Sequence, residues 1–198
     1  KKLATILFFP SDSLAKSFTN IKNYALLPPG GIQIDYIPIS KNNLGILYSG
    51  GGGELYDLEK LIDACSLVYK KFDNFKFYIV SRKEEMSKDL LKKIEKISWI
   101  ELISASFDEI IKFREKIYLG LVSLKSEPYS DTAIPVKLLN YMSLGKPIVI
   151  TNIKEARLFV EKYNCGVLCE NNSQDMANKI IFLLENYDYA LELSKHTH

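Results

Sequence analysis

Histidine is almost missing from this chain. Both copies, His196 and His198, fall within the last three of its 198 residues, where a frayed end or an expression remnant is the ordinary reading. The body of the chain therefore excludes a Ser-His-Asp or Cys-His mechanism and offers no ready neutral-pH general base. Cysteine is scarce and odd in number: Cys65 lies in a helical pattern, and Cys165 and Cys169 lie in the strand-like run "NCGVLCE". Four residues along a strand span about 13 Å, too far for a disulfide or a shared zinc, so these thiols read as core fillers. A large charge of one sign is also missing. The 26 basic and 24 acidic residues leave a net charge of +2 with the lysines scattered, which argues against nucleic acid while leaving room for a small anion. No apolar run reaches the roughly 18 residues of a membrane span, and the first residues lack a signal-peptide cleavage pattern. The expectation is a soluble, cytoplasmic chain.

What is present is alternation. The runs "LATILFF", "GILYS", "FKFYIV", "WIELI", "IYLGLVSL", "KPIVIT" and "CGVLCE" are strand-like, and helical patterns fill most of the gaps. The clearest helix is 56–72, where Leu58, Leu61, Ile62, Cys65, Val68 and Tyr69 form one apolar stripe at spacings of three and four. Weaker periodicity predicts helices over 84–97, 107–114, 135–144, 154–163 and 174–191. Strands apolar on both sides and separated by single helices imply an α/β fold, a doubly wound parallel sheet of the Rossmann-like kind. At this length one core is expected, with 1–44 as a linker plus a leading strand and helix, and 45–198 as the main sheet. Within the first part, residues 20–44 carry two prolines followed by two glycines and no helical period, which reads as a structured crossing.

In an open parallel sheet, ligands collect beyond the C-terminal ends of the strands, so the loops there are the ones to search. After "GILYS" come Gly50, Gly51, Gly52 and Gly53, leading to a helix that begins near Asp57. Such a turn lets backbone approach a ligand and presents amide donors, although it matches neither a Walker loop nor the dinucleotide fingerprint. After "IYLGLVSL" comes a polar loop holding Glu127, Tyr129, Ser130, Asp131, Thr132 and Ala133, which enters the next helix through Pro135. Lys137 follows in the first turn of that helix. A lysine beside a positive helix end makes sense either as a solvated surface group or because an anion binds there. Lys146, by contrast, follows the C-terminus of the same helix at the opposite end of the sheet. After "FKFYIV", Arg82 and Lys83 sit at a third strand end, and Arg157 is a fainter phosphate candidate.

The run "AIPVKLLNYMSLGKPIVIT" resembles the "P-x-K-L-x-E-Y-M-x-x-G-K-P-V-V" segment in the donor-binding half of GT-B-fold glycosyltransferases, of the group 1 or family 4 kind that build polysaccharides. "LGILYSGGGGELYDLEKLIDA", "FKFYIVS", "IYLGLVSLK" and "LLPPGGIQIDYIPIS" are similar, in order, to the glycine-turn opening, second strand, pre-donor strand and interdomain linker of that half. The resemblance implies a nucleotide-sugar substrate and no further cofactor or metal. It implies the diphosphate over the glycine turn and the helix starting at Pro135, with Lys137 facing it, and the base near Ser104 and Ala105. Many members carry two glutamates eight positions apart; Thr132 and Asn140 stand at those positions here, and Asn140 keeps only hydrogen bonding to a ribose hydroxyl. The basic residues often found after the glycine turn are also replaced, since "GGGGELYD" has none. The resemblance further implies an N-terminal acceptor domain outside this chain, so the chain is expected to bind the donor without turning over. Any peripheral membrane association would run through that domain. Two other readings share the fold: a sugar-nucleotide 2-epimerase, which the missing histidine disfavours, and a non-catalytic nucleotide-binding or interaction module.

Overall fold

The structure is a computed structural model that describes residues 6–52, 56–125 and 127–197. Its main sheet has six strands, all parallel: β3 (Gly45–Ser49), β4 (Lys76–Val80), β5 (Ile100–Ile103), β6 (Ile117–Val122), β7 (Ile148–Thr151) and β8 (Gly166–Cys169). Their spatial order is β5-β4-β3-β6-β7-β8. The chain thus builds outward from β3 to β5, then returns to the other side of β3 and builds outward again to β8. The reversal lies between β3 and β6, and a crevice opens there beyond the strand ends.

Both faces of the sheet are covered, which is why its strands read as continuous apolar runs. Ile46, Phe77, Ile79, Leu119 and Val149 pack one face against α2 (Leu58–Tyr69), α3 (Lys88–Glu95), α7 (Ser173–Glu185) and α8 (Tyr187–His196). Leu47, Val80, Val122, Ile148 and Ile150 pack the other against α4 (Phe107–Lys112), α5 (Val136–Ser143) and α6 (Lys154–Tyr163). Cys65, Cys165 and Cys169 are buried free thiols, as core fillers should be.

Three departures from the periodicity have physical causes. The described part of the apolar run at 3–9 does not join the main sheet. Its strand, β1 (Leu7–Phe9), pairs in parallel with β2 (Tyr24–Leu26), a strand too short to stand out among the prolines and glycines around it. The short helix α1 (Asp12–Lys16), capped by Ser11, connects the two. The single helix predicted over 174–191 is broken at Asn186, whose side chain donates to the Phe182 carbonyl at 2.8 Å and ends α7.

The break lets α8 turn back onto the crossing segment. Tyr187 donates to the Ile39 carbonyl at 3.0 Å, and the Tyr36 and Ser194 hydroxyls lie 3.0 Å apart. Lys146 anchors the same segment from below. It is fully buried and donates to the Ile37 carbonyl at 3.3 Å, so it is a structural strut. Burial, with the Arg114 guanidinium nearby, pushes its pKa down to about 8.

Candidate functional site

Beyond the ends of β3, β4, β5 and β6 lies a cleft of about 910 Å³. The loops after these strands form its walls, and the start of α5 forms its floor. Of the residues singled out above, Gly50, Gly51, Arg82, Ser104, Ala105, Tyr129, Ser130, Ala133, Lys137 and Asn140 line it.

The loop after β6 is divided between wall and scaffold. Ser130 is buried, and its hydroxyl is taken up within the loop: it donates to the Lys125 carbonyl and accepts from the Glu127 amide at 2.9 Å. Glu127, Asp131 and Thr132, expected among the ligand contacts, do not line the cleft. Asp131 instead accepts from the Lys154 amide at 3.5 Å, at the start of α6, and the Thr132 carbonyl accepts from Ser11. The loop spends these groups on fastening itself to α1 and α6. Gly52 likewise falls outside the cleft wall, Gly53 lies outside the described residues, and Arg157 is exposed on α6 away from the cleft.

Lys137 is at the centre. Its position in the first turn of α5 and the backward tilt of helical side chains send it toward the glycine turn. Only 8% of it is exposed, so the solvated-surface reading does not hold. Its Nζ lies 3.8 Å from the centre of the Tyr56 ring and 4.3 Å from that of Tyr48, and it donates to the Tyr48 hydroxyl at 3.3 Å. That hydroxyl in turn donates to the Gly51 carbonyl at 2.6 Å, tying the lysine to the turn. Gly50 is required there. Its φ is +147°, and a Cβ would stand 2.5 Å from the Lys137 Nζ. No ion pair to Lys137 is found among the described residues, and burial pushes its pKa down to about 7. α5 itself begins at Pro135 without a side-chain cap and without an acidic residue in its first turn, so the positive end of the helix is not neutralised locally.

Tyr141, also on α5, fixes the end of β3. Its hydroxyl accepts from the Ser49 amide at 2.8 Å and donates to the Leu121 carbonyl at 3.3 Å, bridging β3 and β6 where the sheet order reverses. On the opposite wall Ser106 and Glu109 form a capping box at the start of α4, which orders the loop carrying Ser104 and Ala105.

Several cleft residues were not singled out from the sequence, among them Tyr56, Ser81, Glu85 and Ile134, and neither was Tyr48, which is buried behind the cleft wall against Lys137. The Ser81 hydroxyl is buried, lines the cleft and has no hydrogen-bond partner among the described residues. Tyr48 and Ser81 end apolar runs and look like core in a linear reading. Only the fold turns Ser81 toward the cleft and sets the buried Tyr48 ring against Lys137.

A doubly wound parallel sheet with a polar, lysine-centred cleft at its switch point defines a Rossmann-like α/β domain. Its fold matches one half of GT-B glycosyltransferases. Residues 45–186 match the family described as Glycosyl transferases group 1, and the chain belongs to that family.

A stretch of 55 residues is 31% identical to TuaH of Bacillus subtilis (strain 168), a protein named for teichuronic acid biosynthesis; it covers 28% of this chain and 14% of that one. Among solved structures, a variant of S. aureus TarM in complex with fondaparinux, alpha-GlcNAc-glycerol and UDP superposes with a TM-score of 0.75 at 22% identity, over 97% of this chain and 39% of that one. Anabaena HepE in complex with UDP and glucose gives 0.75 at 16% identity, over 98% and 57%. At these identities the superpositions speak to the fold. The chain spans well under two thirds of each of these relatives.

Proposed function

We propose that this domain holds the nucleoside diphosphate of a nucleotide sugar and serves as the donor half of a glycosyltransferase acting on a polysaccharide, lipid or other acceptor. The observation that carries the reading is Lys137, a buried cation with no ion-pair partner among the described residues, at the uncapped start of α5 in the switch-point cleft. An anion resting there would meet an ammonium and helix amides together. As the glycosidic bond to the phosphate breaks, the leaving diphosphate gains charge, and groups already aimed at it stabilise that charge without reorganising. The base would lie against Ser104 and Ala105, and Asn140 would face the ribose. The donor is the substrate, and no further cofactor is part of the proposal.

The acceptor side is proposed to come from a further domain. Phe8, Leu26 and Leu27 on or beside the small β1–β2 sheet are 59%, 48% and 63% exposed, a concentration of bare apolar surface that suits a covering partner. The cytoplasmic location belongs to the same proposal; among the described residues no helix is long and apolar enough to cross a membrane. The family match does not favour the epimerase and non-catalytic readings.

Calorimetric titration of the chain against a panel of nucleoside diphosphates, followed by an assay for sugar transfer, tests the proposal. Binding of at least one member without transfer by the chain alone is expected. Failure to bind across the whole panel, or transfer by the isolated chain, would contradict it.

A further inference from the structure

In the cleft, an ammonium that is about nine-tenths buried faces aromatic rings where a buried lysine ordinarily faces a carboxylate. The groups arranged around it explain why. Tyr48 comes from the end of β3, Tyr56 from the turn before α2, and Tyr141 from α5 itself. Arg82 and Glu85 stand on the rim after β4, and Lys125 lies after β6. The Glu85 carboxylate reaches the glycine turn, where a Cβ on Gly51 would stand 2.9 Å from its Oε2, but it forms no ion pair with Lys137. Asp57 is taken by Lys60 at 2.6 Å. Burial holds the Tyr48 phenol far above its ordinary pKa, so it stays a neutral hydroxyl and supplies no counter-charge.

We infer, resting on the donor-site reading above, that Tyr48 and Tyr56 are positioning residues for Lys137: their ring faces hold the ammonium at the glycine turn without neutralising it, leaving its charge for an incoming diphosphate. A carboxylate in their place would hold the lysine equally well but would compete with the anion. Ring faces attract a cation weakly enough to be outdone by a phosphate and need no displacement. The Tyr48 hydroxyl adds a second element, because it carries the lysine's hydrogen bond on to the Gly51 carbonyl and so sets the turn and the cation together.

The arrangement has a consequence that a passive cover would lack. Burial without a counter-ion brings the lysine's titration down to about pH 7, so the ammonium keeps its charge below that point, and above it an arriving diphosphate must draw a proton to restore the charge. Affinity is therefore set to fall as pH rises above that point. A phosphate's own second ionisation, near pH 6, limits binding from the acid side.

The test uses the full chain with UDP and inorganic pyrophosphate as probes, titrated calorimetrically from pH 6 to 8.5 in buffers of differing ionisation enthalpy. The parent is expected to take up a proton on binding and to lose affinity by up to about tenfold per pH unit above pH 7. Tyr56→Phe should keep both properties. Tyr56→Leu, which retains apolar cover but removes the ring face, should weaken both probes by roughly threefold to tenfold and move the falling limb to lower pH. Tyr48→Phe should weaken binding and leave Tyr56 in place. If the parent binds and Tyr56→Leu shows the parent's affinity and pH profile, the rings are mere cover and the inference is overturned alone. If only Glu85→Gln alters the profile, a carboxylate and not the rings governs the lysine, and the inference is overturned in that way. If the parent binds neither probe, the donor-site reading falls and the inference with it.

Discussion

Lys137→Met is expected to make the ligand-free chain more stable while weakening its hold on a diphosphate. The stability side follows from the sign of the linkage. Burial lowers the folded-state pKa of Lys137 from 10.5 to about 7, so between those values the unfolded chain binds a proton that the folded chain does not. Stability then rises with pH across that window, and below it the full penalty of burying the charge is felt. Methionine fills nearly the same space and carries no charge, which should raise stability at pH 6 by roughly 2 to 4 kcal/mol and the unfolding midpoint by about 5 to 10 °C. The pH slope should shrink without vanishing, because Lys146 is also depressed, to about 8. On the binding side a charge-assisted contact of about 1.5 to 3 kcal/mol is lost, a roughly tenfold to hundredfold drop in affinity. Thermal melts at pH 6 and pH 9 beside calorimetric titration check both. A destabilised variant, or one that binds as the parent does, would show that the lysine is not a buried charge held for a ligand.

Gly120→Ala should be the most damaging small substitution at the site. Gly120 lies within β6, and the ring of Tyr141 rests on it so closely that a Cβ would stand 2.2 Å from one ring carbon and 2.3 Å from another. The ring cannot retreat easily. It is fully buried and its hydroxyl is engaged by the Ser49 amide and the Leu121 carbonyl. Overpacking of this kind, with the loss of the Ser49 bond, should cost about 3 to 4 kcal/mol. Adding Tyr141→Leu removes the ring that clashes, so the double variant should be less destabilised than the sum of the two single ones by at least about 1 kcal/mol. Denaturant unfolding of the four proteins measures the coupling, and strict additivity would refute the contact.

The contrast between Lys137 and its neighbours shows what a linear reading conveys. The strands are legible because a sheet covered on both faces must be apolar throughout, and Pro135 and Gly145 are legible because they mark a helix start and a helix end. Gly145 has φ of +69°, as a helix-ending glycine should. The order of the strands is not written locally. It is the return of the chain from β5 to the far side of β3 that brings the glycine turn beside the loop after β6. For the same reason Lys137 is visible as an odd residue, whereas its burial is not. A lysine in a first helical turn looks like surface until Tyr48 and Tyr56, more than eighty positions before it in the chain, are folded over it. Lys146 misleads in the same way, being fully buried under the crossing segment. Ser130 illustrates the opposite limit, since a hydroxyl in a polar loop suggests a ligand contact but is used here to hold the loop's own backbone.

A crystal structure of the chain with a bound nucleoside diphosphate tests the central claim most directly. The account predicts the diphosphate in the cleft beside Gly50 and Gly51, an oxygen within hydrogen-bonding reach of the Lys137 Nζ at the start of α5, and the base against Ser104 and Ala105. A diphosphate bound elsewhere, for example over Arg157 on α6, with Lys137 still enclosed by Tyr48 and Tyr56 and touching no phosphate, would contradict it.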